Sequence, residues 1–288
     1  MRFYSLCEAT CGYFNLWGKY MSGVKTYDVT QLEKVSCRSG SDGYQAKYYA
    51  DNREKFIKTQ AMLSGVLMRD WQVEIIASKI CDKLDIYSVK QTHCKVSDGT
   101  KTLDAVISDN FEMEGFDYIS FETLLNRILG ESTHDSKFLR LTTLDKMDFC
   151  AKVISKACSI DNKYALKYML DLAIIDILVG NKDRHTKNFG VFWDINNKKF
   201  KIARIFDNGM GLFENDYYRD SYKSIEDRMR NLYIEPYGED PFDLIDIIKS
   251  KININNIYNF KAIKASDYNF PNNDSKIYFK EILKRLEK

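Results

Sequence analysis

The sequence predicts an α+β fold with two lobes, a small β-rich N-terminal lobe followed by a larger, mainly helical C-terminal lobe. Short runs with strand-like composition, separated by turn residues, fill about the first third of the 288-residue chain, and longer runs with helical spacing follow. The pattern changes near 109–114. We therefore assign 27–110 to the N-lobe and 111–288 to the C-lobe, with a cleft between them, and leave 1–26 as an extension of unassigned role.

The N-lobe prediction rests on turn signals between short strand-like runs. The segment 35–60, VSCRSGSDGYQAKYYADNREKFIKTQ, predicts two or three strands, with turns at SGSDG (39–43) and at 50–53. Residues 71–84 have apolar side chains at helical spacing and predict one helix. Two further strands, flanking an SDGT hairpin turn, are predicted at 87–96 and 102–107.

The C-lobe prediction rests on longer runs with helical spacing. The run at 163–179 is apolar nearly all round, which is typical of a helix buried in the middle of a lobe. Two strands joined at Asn196-Asn197 are predicted after it. Further helices are predicted at 118–129, 144–158, 241–250 and 274–288.

Composition excludes several classes of protein. The formal net charge of +2 does not indicate a nucleic-acid-binding surface. The seven cysteines are scattered without a CxxC pair, and three histidines accompany them, which argues against a zinc site and for reduced thiols. The N-terminus lacks an unbroken apolar run, and the apolar run at 170–180 is too short to span a bilayer. We therefore expect a cytoplasmic monomer with no membrane span and no direct nucleic-acid partner.

A polar motif directly follows the most apolar helix. In GNKDRHTKNFGV, Gly180–Val191, four residues separate Asp183 from Asn188, and Asp207 follows the next predicted hairpin in FDNG. Phosphoryl transfer needs a carboxylate that orients the attacking hydroxyl, and oxygen ligands that hold Mg²⁺ against the phosphates. The Asp-x-x-x-x-Asn spacing is that of the protein-kinase catalytic loop, although Asp-Arg-His stands here in place of His-Arg-Asp.

GNKDRHTKNFGV followed by FDNG resembles the HipA-like serine/threonine kinases and, more distantly, the phosphatidylinositol kinases. The resemblance implies a bilobal protein-kinase-like fold that uses ATP and Mg²⁺. It implies that Asp183 is the catalytic base and that Asn188 and Asp207 are metal ligands. It also implies that His185 packs beneath the metal loop and that Arg184 is either structural or close to the phosphates.

The N-lobe should then supply a lysine paired with a helix glutamate. Lys58 lies on a predicted strand, and Glu74 lies sixteen residues further on, near the start of the predicted helix. Lys47 is a rival. We favour Lys58, because its strand leads toward the helix and because members of the family carry a lysine in a similar apolar context.

The SGSDG turn is a candidate phosphate-covering loop, because small residues allow backbone N–H groups to approach a nucleotide closely. Related kinases are regulated by phosphorylation of a serine in this loop, since the added charge would repel ATP phosphates. The adenine is expected at the lobe junction, near Asp109 and Phe111. The predicted loop residues are Ser39, Gly40, Ser41, Asp42 and Gly43.

The sequence therefore predicts an ATP- and Mg²⁺-dependent kinase acting on a protein Ser or Thr hydroxyl, with autophosphorylation as one outcome. A lipid or small-molecule hydroxyl is an alternative acceptor. A nucleotide-binding pseudokinase or interaction module is an alternative function, although such proteins usually lose one of the residues that this chain keeps. The resemblance also implies an antitoxin-like regulator as a partner.

Overall fold

The computed structural model describes residues 23–35, 45–63, 65–110, 115–214 and 222–288. The predicted phosphate-covering loop at 39–43 and Phe111 lie outside the described residues.

A six-stranded sheet forms the N-lobe, in the order β1-β7-β8-β4-β3-β2. β1 pairs with β7 in parallel, and the other neighbours pair antiparallel. In this sheet Lys58 lies opposite Lys47 on one side and Val106 on the other. The strands are β1 (Thr26–Asp28), β2 (Glu33–Lys34), β3 (Lys47–Ala50), β4 (Lys55–Thr59), β7 (Gln91–Ser97) and β8 (Thr102–Asp109), and a separate hairpin holds β5 (Met62–Leu63) and β6 (Val66–Leu67).

One helix, α1 (Asp70–Lys83), packs between the sheet and the helices of the C-lobe. Its buried apolar side chains, at i, i+3, i+4 and i+7 spacing, join the main hydrophobic core. Glu74 lies on this buried face and is 1% exposed. The helix therefore carries a carboxylate into the region between the lobes.

The C-lobe is built around α5 (Asn162–Val179), whose residues from Tyr168 onward are all buried. An apolar helix without a polar face is stable only when other elements surround it. α4, α7 and α8 pack against it. The other helices are α2 (Phe121–Leu129), α3 (Ser136–Leu139), α4 (Thr143–Cys158), α6 (Ile225–Arg230), α7 (Pro241–Lys249) and α8 (Asn273–Glu287).

A three-stranded sheet, in the order β11-β10-β9, packs against α2 and α4. Its strands are β9 (Phe116–Ser120), β10 (Gly190–Asp194) and β11 (Lys199–Ile202). Gly190 is required here, because a Cβ at this position would lie 2.2 Å from the carbonyl oxygen of Ile119. β10 begins directly after the Asp183–Asn188 motif, so the small sheet fixes where the motif ends.

The predicted helix at 118–129 is wrong in its first turn. Tyr118, Ile119 and Ser120 belong to β9, and the helix begins at Phe121. The Ser120 hydroxyl caps α2 by accepting a hydrogen bond from the backbone N–H of Thr123. Tyr118 packs edge-on against Phe192 of β10. The apolar residues of the strand continue the helical spacing of α2, which conceals the change of conformation.

The other predicted helices and strands are confirmed to within a few residues. Residues 51–53 form the turn predicted after β3, all with positive φ. The short elements β5, β6, α3 and α6 were not predicted, because two to six residues carry too little periodicity. The predicted α+β, two-lobed fold is confirmed. In the described part of the chain, no helix has both the length and the apolar character needed to cross a membrane.

Candidate active site

The catalytic-loop motif begins where α5 ends. Gly180 adopts a left-handed conformation, with a φ of +59°, and its N–H bonds back to the last turn of the helix. The Asn181 amide donates to the Asp176 carboxylate at 2.9 Å, and its oxygen accepts from the N–H of Asp183 at 3.2 Å. The end of the buried helix α5 is thus joined through Asn181 to Asp183 by hydrogen bonds.

Arg184 holds the loop from beneath. Its guanidinium makes a bidentate ion pair with Asp176, with Nε 3.0 Å from Oδ2 and Nη2 2.9 Å from Oδ1. It also donates to the backbone oxygens of Asn188 (3.1 Å) and Phe206 (2.6 Å) and to Oδ1 of Asn208 (2.5 Å). One buried side chain therefore fixes the two ends of the motif relative to FDNG.

The family resemblance left two roles open for Arg184, a structural one and one close to the phosphates. Its contacts favour the structural role. The side chain is 1% exposed, and its guanidinium bonds to Asp176, Asn188, Phe206 and Asn208. An arginine that reaches nucleotide phosphates needs a guanidinium that is open to the cleft. Arg184 is therefore placed to position the loop.

Asp183, His185 and Asn188 lie together on the loop. The Asn188 amide donates to the carbonyl oxygen of Asp183 at 3.0 Å, and the Asn188 N–H donates to the carbonyl oxygen of His185 at 2.8 Å. The ring Nδ1 of His185 accepts from the N–H of Lys187 at 3.3 Å. These bonds close the loop on itself and leave the amide oxygen of Asn188 as an available ligand.

Asp207 is held in a left-handed conformation, with a φ of +60°. Such a backbone is uncommon outside glycine and is often found at functional sites. Two neighbours fix it: the Ile205 backbone pairs with residues 87 and 89 of the N-lobe, and the Asn208 N–H donates to Glu74 Oε2 at 3.0 Å. A Cβ at Gly209 would lie 3.3 Å from Glu74 Oε1, so glycine permits the close approach of α1.

Lys58 joins the two lobes. Its ammonium lies 2.8 Å from Glu74 Oε1 and 2.5 Å from Asp207 Oδ1. Lys58 comes from strand β4, Glu74 from α1 and Asp207 from the segment after β11. Three elements far apart in the chain therefore place their charged groups within hydrogen-bonding distance.

Charges in this cluster shift the pKa of its members. Burial by itself would raise the pKa of Asp207, but the Lys58 ammonium beside it, helped by Lys47, lowers it to about 2. Burial would lower the pKa of Lys58, yet the Asp207 and Glu74 carboxylates raise it above its ordinary value. Both groups are therefore charged at neutral pH.

Asp183 behaves differently. Burial raises its pKa, and the nearby Asp207 charge adds to this effect against the opposing charges of His185 and Arg184. A carboxylate with a raised pKa accepts a proton more readily than an ordinary aspartate. The surroundings of the two aspartates therefore act in opposite directions: the pKa of Asp207 is lowered and the pKa of Asp183 is raised.

The donor set of Asn188 and Asp207 fits Mg²⁺. An amide oxygen and an ionised carboxylate are hard ligands, and Mg²⁺ usually takes one or two protein ligands and completes its octahedron with phosphate and water. Among the described residues, no three or more His, Cys, Asp or Glu side chains form a group that could hold a metal ion.

Lys47 and Asp109 are the remaining predicted site residues that the structure describes. Lys47 lies directly opposite Lys58 in the sheet register, so both side chains leave the same face, and the Lys47 charge acts on Asp207. Asp109 ends β8, where its exposed side chain pairs with Lys55 at 2.5 Å. Its side chain therefore has a partner within the sheet, and any part it plays at the lobe junction would fall to its backbone.

Sequence reasoning missed the buried polar residues that support the site. Asp176, Asn181 and Asn208 are at most 4% exposed and hold Arg184 and Glu74 in place. Asp70, at the start of α1, is 2% exposed and accepts from the N–H of Ala61. Asp176 carried a signal, since an aspartate within an otherwise apolar helix requires a buried partner. Asn181, Asn208 and Asp70 carried no sequence signal beyond their proximity to the motifs.

Comparisons with known proteins show the family and the fold of the chain. The HipA-like C-terminal domain family matches residues 33–233. A crystal structure of a Helicobacter pylori proinflammatory kinase, CtkA, matches with a TM-score of 0.56 and 19% identity, covering 91% of this chain and 94% of that one. This likeness shows the same fold.

Two further results complete the comparison. HipA of Shewanella oneidensis MR-1, from a toxin–antitoxin complex with HipB and operator DNA, matches with a TM-score of 0.44 and 13% identity, covering 88% of this chain and 64% of that one. No curated protein matches the sequence. Because the family model spans more than half of the chain and includes Lys58, Glu74, the Asp183–Asn188 loop and Asp207, the chain belongs to the HipA-like C-terminal domain family.

Proposed function

We propose that this protein is a kinase that uses ATP and Mg²⁺ to phosphorylate a Ser or Thr hydroxyl of a protein. The observation that carries the proposal is the position of Lys58, whose ammonium lies between Glu74 and Asp207. A lysine of the small lobe paired with a helix glutamate, next to a metal-binding carboxylate, is what phosphoryl transfer from ATP requires.

Each charged group has a distinct task in this proposal. The Lys58 ammonium, oriented by Glu74, binds phosphate oxygens and offsets their charge. Asn188 and Asp207 hold Mg²⁺, which when bound neutralises charge that develops on the transferred group. Asp207 is ionised at neutral pH, because its pKa is about 2, and is ready to bind a cation.

Asp183 is assigned to the acceptor. Its carboxylate orients the hydroxyl and accepts its proton as the oxygen attacks the γ-phosphorus, the bond to the leaving ADP oxygen breaks, and the phosphoryl group moves in line. Burial raises the pKa of Asp183, which favours this proton transfer. Asn181 accepts a hydrogen bond from the Asp183 N–H and Arg184 donates to the Asn188 carbonyl oxygen, so these two side chains position the backbone of the loop that carries Asp183.

The relatives support the kinase assignment and leave the acceptor to be identified. CtkA is described as a kinase, and the structure of the Shewanella protein contains its partner HipB. The protein acceptor and the antitoxin-like regulator are proposals that follow from the family resemblance, and the cytoplasmic location is a proposal that follows from the composition. Phosphorylation of Ser39 or Ser41 is likewise a proposal.

Transfer of label from γ-labelled ATP tests the proposal. The purified protein is incubated with Mg²⁺ and a mixed-protein substrate, beside Asp183→Asn, Asp207→Asn and, as a matched control, Asp246→Asn, which changes an exposed aspartate of α7 that pairs with Arg285. Labelled Ser or Thr with wild type and control, lost in the other two variants, is the expected result. ATP binding without transfer by the wild type would instead indicate a pseudokinase, and label on lipid would replace the proposed acceptor.

A further inference from the structure

The segment 118–122 is hydrogen-bonded to the catalytic loop along its length. The Tyr118 hydroxyl donates to the carbonyl oxygen of Lys187 at 3.0 Å. The Phe121 N–H donates to the carbonyl oxygen of Phe189 at 2.8 Å, and the Glu122 N–H donates to that of Thr186 at 3.1 Å. The junction of β9 and α2 therefore faces the part of the loop between Asp183 and Asn188.

The Glu122 side chain adds a link of a different kind. Its Oε2 accepts a hydrogen bond from the Thr186 hydroxyl at 3.1 Å, and Thr186 lies midway between Asp183 and Asn188 in the loop. The Thr186 hydroxyl also lies 3.0 Å from that of Thr133. Thr186 and Thr133 are 7% and 5% exposed, so these hydroxyls exchange little with water.

Other donors hold the Glu122 carboxylate in place. Ser132 donates its hydroxyl to Oε1 at 2.6 Å, and Thr133 donates its hydroxyl and its N–H to Oε2. Partial burial by itself would raise the pKa of Glu122, but the Ser132, Thr133 and Thr186 hydroxyls lower it. The carboxylate is thus an ionised acceptor, and hydrogen bonds to a charged acceptor are stronger than neutral ones.

Glu122 has no place in the proposed chemistry, and among the described residues no cation pairs with its half-buried carboxylate. In the described part of the chain, its carboxylate accepts from hydroxyl and backbone N–H groups of the 132–133 turn and from a hydroxyl of the catalytic loop. Burying a carboxylate is costly unless hydrogen bonds satisfy it. The fold meets this cost beside the loop that carries Asp183 and Asn188, which points to a role in holding that loop.

We propose that Glu122 is a positioning residue of the kinase reaction, which acts through the Thr186 hydroxyl to fix the loop between Asp183 and Asn188. Arg184 holds the same loop from the buried side, and Glu122 holds it from the side of α2. This inference rests on the proposed function for its kinetic consequence. It rests on the loop geometry alone for its structural consequence.

The test compares Thr186→Val, Thr186→Ser, Glu122→Gln and the double variant Glu122→Gln/Thr186→Val. Valine keeps the shape of threonine without the donor, and serine keeps the donor. Glu131→Gln is the control, because Glu131 lies on the same turn and pairs with Lys137 away from the loop. Label transfer is measured well below the melting temperature of each variant, and hydrogen exchange is followed in peptides covering residues 180–191.

The expected result has three parts. Thr186→Val lowers the transfer rate about tenfold, the rate equivalent of one hydrogen bond to a charged group, while Thr186→Ser and Glu131→Gln stay within about twofold of wild type. The double variant is no slower than the slower single variant, because both changes remove the same link. Exchange in residues 180–191 is faster in Thr186→Val and unchanged in Thr186→Ser.

Two results would overturn the inference. Exchange in Thr186→Val that equals the wild-type rate would show that the hydroxyl does not hold the loop, whatever the kinetics. Faster exchange with undiminished transfer would show that the link does not serve the reaction. If the wild type transfers no label, the kinase proposal fails by itself, and exchange in residues 180–191 compared between wild type, Glu122→Gln and Thr186→Val still decides whether Glu122 positions the loop.

Discussion

The side chains of Arg184 and Lys58 both bind carboxylates in this site, but their surroundings differ. Arg184 and Asp176 are 1% and 0% exposed, and the guanidinium also donates to the carbonyl oxygens of Asn188 and Phe206 and to the amide oxygen of Asn208. Lys58 and Glu74 are 10% and 1% exposed, but the Asp207 side chain beside them is 34% exposed. One cluster is closed, and the other opens toward the region between the lobes.

The difference separates residues that hold the site in shape from residues that are proposed to take part in the reaction. A closed cluster of this kind cannot exchange partners without breaking buried hydrogen bonds, so it fixes geometry. In the open cluster, Lys58 and Asp207 neutralise each other, and a phosphate and a cation could replace these mutual contacts without unfolding the lobe. The predictions below test this division, beginning with the largest effect.

Replacing Arg184 should damage the fold. Arg184→Met leaves the Asp176 carboxylate buried without its charged partner, and we expect a loss of about 3–5 kcal/mol in the free energy of unfolding. Urea denaturation measures this loss. Arg53→Met is the control, because its ion pair with Glu33 is exposed and should cost less than about 1 kcal/mol. Equal losses in the two variants would contradict the closed half of the comparison.

Replacing Lys58 should damage the reaction more than the fold. Lys58→Met should lower label transfer from ATP about a hundredfold, since a fixed charge at the phosphates is lost. Lys47→Met, on the neighbouring strand and the same face of the sheet, should lower it about tenfold or less. The two transfer rates, with melting temperatures as a check on folding, decide which lysine is the principal one. A larger loss in Lys47→Met would reverse our assignment.

Acid should remove a contribution of Asp207 to stability. Its pKa falls from 3.8 to about 2 in the folded protein, because Lys58 and Lys47 favour the charged form despite burial. A carboxylate with a lowered folded pKa stabilises the fold above its unfolded pKa and loses this effect as the pH falls through the folded value. Wild type should therefore lose more stability than Asp207→Asn between about pH 4 and pH 2, as measured by urea midpoints. Parallel curves would show that Lys58 does not stabilise the Asp207 charge.

The residues of the open half of the site, around Lys58 and Asp207, were easier to predict from the sequence than those of the closed half, around Arg184 and Asp176. Asp183, Asn188 and Asp207 form a recognisable spacing, and Lys58 and Glu74 could be found because the chemistry demands a lysine and a carboxylate upstream. In the structure Lys58 contacts Glu74 and Asp207, and Asp183 and Asn188 share one hydrogen-bonded loop. The roles proposed for these residues constrain their type and spacing, and for that reason a single sequence could suggest them.

The support was hidden for physical reasons. Asp176 lies in a helix whose other late residues are apolar, and its partner is known only once Arg184 folds beneath the loop. Glu122 reads as an ordinary acidic residue in the first turn of a helix, since its hydroxyl partners come from distant segments. The strand at 116–120 could not be separated from α2, because cross-strand pairing with β10 decides its conformation.

The claim that the Lys58 and Asp207 cluster is the ligand-binding half is tested most directly by calorimetric titration with ATP. Wild type and Asp207→Asn are titrated with and without Mg²⁺. We predict that Mg²⁺ tightens ATP binding by the wild type about tenfold or more and that Asp207→Asn loses this gain. Equal Mg²⁺ dependence in the two proteins would contradict the assignment of Asp207 as a metal ligand, and with it the account of the open half.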